Sequence, residues 1–216
     1  MIERLTPELR AAFAAAAAKW QGGERTSRIW EGDSTVWTGR DEAYWLGWLD
    51  APEREAARLA DYSELGRVAA HRGIRDVLLL GMGGSSLGAE GLRRSFGESP
   101  GMPRLHVLDS THPDQVKSFA HRLDPATTWV VVASKSGSTV EPNLLLTYFF
   151  DHFRAALGER AAARFIAITD PDSALDRLAR QKEFLALVPG EPTIGGRFSA
   201  ISPFGLVPAA LMGIDL

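Results

Sequence analysis

The sequence predicts an α/β domain: a doubly wound, five-stranded parallel sheet with a helical N-terminal extension. Three observations carry this reading. From residue 74 onward, short apolar runs alternate with helix-like patterns, the signature of right-handed βαβ crossovers. Two of those runs, Val77-Leu78-Leu79-Leu80 and Trp129-Val130-Val131-Val132-Ala133, have no polar face, as strands covered on both sides require. Each runs straight into a Gly/Ser-rich turn that opens onto a helix pattern, the connection that places a ligand at the carboxyl ends of parallel strands.

The elements follow in order. Thr6-Pro7-Glu8 is a helix start, with a capping hydroxyl, a proline in the first turn and an acid at the positive dipole end. That helix is expected to run to about Gln21 and stop at Gly22-Gly23. Residues 24–40 read as irregular, and helical patterns follow at about 41–49 and 52–71. Strands are expected near 76–81, 104–109, 128–133, 164–169 and 184–188. Helices are expected near 86–96, 112–121, 138–157, 173–182 and 199–213. Thr111-His112-Pro113-Asp114 and Asp170-Pro171-Asp172-Ser173 are turn and cap chemistry opening two of them. The organisation is therefore an extension over 1–72 and a sheet domain over 73–216. Five of the six tryptophans lie in residues 20–48 and are expected to pin the extension onto the sheet, with a face toward another domain or subunit as the alternative. The apolar helix pattern over 201–216 has no polar tail and reads as a chain cut at a domain boundary.

Bulk properties narrow the function. At 216 residues with 45% apolar and 24% charged, the composition is that of an ordinary soluble protein. A formal net charge of −3 supplies no global field for nucleic acid or an anionic membrane, so neither is an expected partner. The absence of cysteine excludes disulfides and thiolate chemistry and fits a cytoplasmic location. Ala14 to Ala18 lack the basic flank and leucine-type core of a signal peptide. The five histidines are scattered without metal-ligand spacing, and no metal is expected.

Three constellations carry chemistry. In the first, Gly81-Met82-Gly83-Gly84-Ser85-Ser86-Leu87-Gly88, the third glycine of a dinucleotide fingerprint is replaced by Ser86. A lone glycine turn of this kind can also serve only to pack a helix against its strand. The second, Ser134-Lys135-Ser136-Gly137-Ser138-Thr139, concentrates more hydroxyls than capping needs and adds a cation, the makings of a phosphate cradle. Glu141 just beyond it reads as a capping or dipole partner. In the third, Gly195-Gly196-Arg197-Phe198-Ser199, paired glycines let the backbone bend; Arg197 either points inward or joins a surface ion pair.

Taken together and in order, about 50–60 residues apart, the three resemble the sugar-isomerase (SIS) domain of the phosphoglucose isomerase family. Its G-[IM]-G-G-S-x-L-G turn matches Gly81 to Gly88, its S-K-[TS]-x-[TS]-T-x-E turn matches Ser134 to Glu141, and its G-G-R-[FY]-S element matches Gly195 to Ser199. The resemblance covers roughly 41–216. Arg28-Ile29-Trp30 and the stretch from Leu46 through Pro52-Glu53-Arg54-Glu55 look more like one branch, the isomerase half of bifunctional transaldolase–phosphoglucose isomerase chains; no transaldolase barrel is present.

The resemblance implies a sheet in flavodoxin-like order and aldose–ketose isomerisation of a sugar phosphate through an enediolate, without a cofactor. It implies that Ser134, Ser136 and Thr139 hold the phosphate, that Lys135 and Ser138 line the same turn, that Gly84 and Ser85 border the substrate, and that Arg197 with Gly196 lies beside the developing enediolate. Ser-Gly-Ser at 136–138 stands where many members have Thr-Phe-Thr, which keeps the donor at 136 and loosens the loop. The family's proton-shuttling glutamate, its ring-opening histidine from a neighbouring subunit and a late lysine lie downstream of G-G-R-F-S. The chain has 19 residues after Arg197 and none matches those positions, so a downstream domain of the same protein and a homodimer are the expected partners. A non-catalytic phosphosugar sensor on the same domain is the alternative.

Overall fold

A computed structural model describes residues 5–216. Helix α1 (Pro7–Gln21) begins where Thr6 accepts a hydrogen bond from the Leu9 amide and stops at Gly22, as its cap chemistry predicts. Residues 24–40 are more ordered than expected. Helix α2 (Arg25–Trp30) is tied by Arg28 to Asp33 at 2.7 Å, and Asp33 caps a short 3-10 turn through Thr35. The helical pattern over 52–71 splits into α3 (Ala51–Ala56) and α4 (Leu59–His71).

The sheet runs β2-β1-β3-β4-β5 and every pair is parallel. Its strands are β1 (Asp76–Gly81), β2 (Arg104–Leu108), β3 (Thr128–Ala133), β4 (Phe165–Thr169) and β5 (Ala186–Pro189). Helices α5 (Leu87–Phe96), α6 (Pro113–Arg122), α7 (Val140–Leu157) and α8 (Ala174–Gln181) make the four crossovers. The order is flavodoxin-like, as expected. Alternate side chains of each central strand enter opposite cores. Leu78, Leu80, Val130 and Val132 pack with Phe149 and Phe153 beneath α6, α7 and α8. Leu79, Trp129, Val131 and Ile168 pack with Tyr62, Phe204 and Leu211 beneath α4, α5 and the last helix, α9 (Pro203–Leu211). Burying both faces explains why β1 and β3 read as unbroken apolar runs.

Two expectations need correction. The last helix does not start at 199: residues Gly196–Ile201 coil as a 3-10 turn, and α9 starts only after Ser202, which is extended before Pro203 and caps Phe204. Nor do the N-terminal tryptophans pin the extension. Trp20, Trp30, Trp37 and Trp45 are 40–66% exposed, and α1 buries no residue; Trp48 stacks on Phe198 at 5.0 Å, and the Lys135 ammonium lies 5.9 Å from the centre of the Trp45 ring. No described helix is long and apolar enough to cross a membrane.

The helix after the first Gly turn carries a local charge device. Hydrogen bonds from Arg93 and then Arg94 to Glu90, at 2.7 and 2.6 Å, hold its carboxyl at about 2, down from 4.5. A depressed folded value means the contribution is complete above about pH 4.5 and is lost as pH falls toward 2. Glu90→Gln should lower stability by roughly 0.3–1 kcal/mol at pH 7, with the gap to wild type closing below pH 4. Denaturant midpoints across that range measure it; a gap that stays constant with pH would show that the ionised carboxylate is not its source.

Candidate functional site

Strands β1 and β3 are neighbours, yet the chain leaves β1 toward β2 and leaves β3 toward β4. This reversal opens a crevice at their carboxyl ends, and both Gly/Ser turns sit there.

In the first turn, Gly83 takes φ +54 and a 3-10 turn spans Gly83–Ser85. Ser86 is buried and returns its hydroxyl to the Gly83 carbonyl at 3.2 Å, so it closes the turn where the third glycine of a dinucleotide fingerprint would let the helix pack close on its strand. Gly84 touches the third constellation. A Cβ there would lie 2.2 Å from the Gly196 carbonyl oxygen and 2.7 Å from its Cα. The Ser199 hydroxyl locks this approach, lying 2.5 Å from the Gly84 carbonyl and 2.7 Å from that of Gly196. Residues 115 apart in sequence thus form one wall, and Gly84, Ser85, Lys135, Glu191 and Gly196 line one cleft.

Backbone cannot yield as a flexible side chain does, so Gly84→Ala should destabilise the fold by about 1–3 kcal/mol. Gly91→Ala in α5 is the control, since nothing lies within 4 Å of its Cβ position. It should stabilise by roughly 0.5–1 kcal/mol. Chemical denaturation measures both; the same sign for the two would refute the close-approach account.

The second turn keeps its hydroxyls unspent on the helix. Thr139 is the N-cap of α7 but makes no side-chain cap bond. The Ser134 hydroxyl is buried and has no hydrogen-bond partner among the described residues. Ser136 and Ser138 are exposed and bond each other at 3.0 Å. Gly137, at φ +66, packs against Ser173 and Leu175, where a Cβ would come within 2.6–2.8 Å. Capping therefore does not account for the hydroxyl cluster. The turn offers hydroxyls beside the N-terminus of an 18-residue helix, an arrangement that suits an anion.

Lys135 is engaged elsewhere. Its ammonium sits 2.5 Å from Asp170 at the end of β4 and donates to the carbonyls of Glu191 and Pro192 at 3.3 and 3.0 Å. It bridges the second turn to the loop that leads into Gly195, instead of pointing its charge at the hydroxyls.

That loop is held from the N-terminal side as well. Leu46 bridges Ile194, and the Gly47 amide donates to the Thr193 carbonyl at 3.2 Å. Arg54 donates to the Gly47 carbonyl at 2.6 Å and lies 3.6 Å from Glu191. Burial pushes the Glu191 carboxyl up, but hydrogen bonds from the Thr193 hydroxyl and amide, aided by Arg54, outweigh it and leave the value lowered. Arg197, by contrast, is exposed and makes no ion pair or hydrogen bond with a described residue. The surface ion pair considered for it does not form. Arg197 follows Gly196 directly in the chain, and its guanidinium donors are unused among the described residues. No group of three or more acidic or histidine side chains among the described residues could hold a metal.

Arg54, Asp170 and Glu191 are the site-supporting residues that motif reading missed. The pairings that join them across the site, Asp170 with Lys135 and Arg54 with Glu191, span 35 and 137 positions, so no local pattern marks them.

The class is now defined: a doubly wound α/β domain with a hydroxyl-lined turn and an unpaired arginine at its switch point. The family profile described as Phosphoglucose isomerase matches residues 58–216, and the chain belongs to that family. It is similar to the glucose-6-phosphate isomerase of Thermus thermophilus, 39% identical over 176 residues, covering 79% of this chain and 40% of the relative. The glucose-6-phosphate isomerase of a Cyanothece species is 30% identical over 236 residues, covering 100% of this chain and 42% of the relative. Among solved structures, a hypothetical protein from Thermus thermophilus matches with a TM-score of 0.79 at 33% identity, over 99% of this chain and 49% of that one. A glucose-6-phosphate isomerase from Chlamydia trachomatis matches with a TM-score of 0.64 at 28% identity, over 88% of this chain and 35% of that one. The chain spans about two fifths of the length of the curated relatives just named.

Proposed function

We propose that this chain is the phosphosugar-binding domain of a glucose-6-phosphate isomerase, interconverting glucose 6-phosphate and fructose 6-phosphate through an enediolate. The observation that supports it most is the hydroxyl cluster left unused by its own helix cap, beside the switch-point cleft. Ser134, Ser136, Ser138 and Thr139 grip the remote phosphate, which turns binding energy into positioning of the reacting carbons. Gly84 and Ser85 border the sugar. Arg197, with the Gly196 backbone, faces the charge that builds on the enediolate oxygen. Lys135 serves from its Asp170 pairing, at the edge of the same cleft. The sheet domain over 73–216 carries these groups, and Leu46, Gly47 and Arg54 of the extension over 1–72 brace the Glu191–Ile194 stretch that leads into Gly195. A downstream isomerase domain of the same protein supplies the base, and a second copy completes the assembly.

Binding tests this reading. Fructose 6-phosphate should bind the 216-residue chain weakly, and Ser136→Ala and Thr139→Ala should each weaken that binding by about 1–3 kcal/mol, the range for hydrogen bonds to a charged group. Isothermal titration measures it. Variants that bind like wild type would move the phosphate elsewhere. A phosphosugar sensor would share this result, and the effect of Arg197 on turnover separates the two.

A further inference from the structure

A second cavity, of about 450 Å³, opens at the opposite edge of the sheet, away from the Gly/Ser turns. It is lined by Arg72, Ala126, Leu157, Arg160, Ala163 and Arg164. Arg72 caps the end of α4, Arg160 and Arg164 lie in the 3-10 segment between α7 and β4, and Ala126 precedes β3. Three guanidinium groups thus meet in one cavity with no carboxylate in its lining. None of the three makes an ion pair or a hydrogen bond with a described residue. Arg164 is half-buried, and burial, then the charges of Arg160 and Arg72, lower its pKa, with Asp124 opposing.

Gathering like charges around a partly desolvated guanidinium is unfavourable unless something negative compensates. The carboxyl ends of α4 and α7 reach the same place, and their partial negative charge offsets part of the repulsion. A helix end satisfies few of the fifteen or so N–H donors that three arginines present. The cavity volume falls within the range of small-ligand sites. The small apolar floor of Ala126, Leu157 and Ala163 leaves the guanidiniums as its recognition groups.

We propose that this cavity binds a small polyphosphate, its diphosphate group held by the forks of Arg72, Arg160 and Arg164. A diphosphate concentrates several charges and many acceptor oxygens in little space, which suits three planar forks better than one phosphate or one carboxylate does. The site lies at the amino-terminal edge of the sheet and is independent of the assignment at the carboxyl edge.

Isothermal titration of the full 216-residue chain with inorganic pyrophosphate tests it. Wild type should bind, and orthophosphate should bind at least about tenfold more weakly, because it spans fewer forks. Arg72 and Arg160 are exposed, so Arg72→Gln with Arg160→Gln should leave the fold intact, checked by circular dichroism. That pair should weaken pyrophosphate binding at least about tenfold, as the loss of two charge-assisted contacts requires. Arg164→Lys, which keeps the charge and removes the fork, should weaken it less. Ser136→Ala with Thr139→Ala should leave it unchanged. Absence of pyrophosphate binding overturns the proposal. So does an affinity indifferent to the arginine pair, or one lost with the Ser136 and Thr139 hydroxyls instead.

Discussion

Arg197→Ala, made in a protein spanning the full length of the family's relatives, should lower kcat by about 10²–10³ and change KM little, the effect of removing one preorganised donor from a developing oxyanion. The expectation rests on what the arginine does not do. It is exposed, without an ion pair or hydrogen bond among the described residues, and carried by a 3-10 turn whose start is locked against Gly84 through Ser199. A guanidinium with no partner in the free protein gains its partner when charge appears on the substrate. Arg197→Lys should recover only part of the loss, because a point charge replaces a planar fork. Steady-state kinetics in both directions decide it. A rise in KM at constant kcat would assign Arg197 to ground-state binding, and no effect on either would favour the sensor reading.

Parts of the architecture are legible in the sequence for a definite reason. β1 and β3 are apolar on both faces, so their runs stand out and their bounds match expectation at 76–81 and 128–133. β5 is a four-residue edge strand of intermediate burial, and its pattern places it about two residues too early. The start of α9 is misjudged for a related reason: the apolar stretch from Phe198 continues through a 3-10 turn that buries Ser199 and is not α-helical. Tryptophan content says that an N-terminal segment has something to cover, not what. Trp48 meets the sheet domain through Phe198 and Trp45 through the Lys135 ammonium, while the 40–66% exposure of Trp20, Trp30, Trp37 and Trp45 leaves the pinning expectation largely unfulfilled.

The candidate site divides along the same line. Glycines and hydroxyls clustered within a few residues form a local signal, and the three constellations are visible on it. Their assembly is a long-range event. Gly84 meets Gly196, Lys135 meets Asp170, and Arg54 meets Glu191 only because the parallel sheet aligns the carboxyl ends of β1, β3, β4 and β5. The lysine illustrates the limit of local reading. Beside four hydroxyls it reads as a phosphate ligand, yet its ammonium is drawn to a carboxylate one strand over.

The 216-residue chain assayed alone should show no isomerase turnover. Moving a proton between C1 and C2 needs a base within hydrogen-bond reach of the carbon acid, as well as a phosphate grip and an electrophile. Two acids at the cleft are committed. Asp170 is paired with Lys135, and Glu191 is held by Thr193 and Arg54. Beyond Arg197 the sequence holds a single acid, the exposed Asp215, and no histidine or lysine. Loss of general-base catalysis costs about 10²–10⁴-fold. A coupled assay of glucose 6-phosphate formed from fructose 6-phosphate measures this, with a co-expressed fragment spanning the rest of a relative's length expected to restore the rate. Turnover by the chain alone in the ordinary enzyme range, roughly 1–10³ per second, would mean that the base lies within this sequence. Asp170→Asn, Glu191→Gln and Glu141→Gln would then separate the candidates.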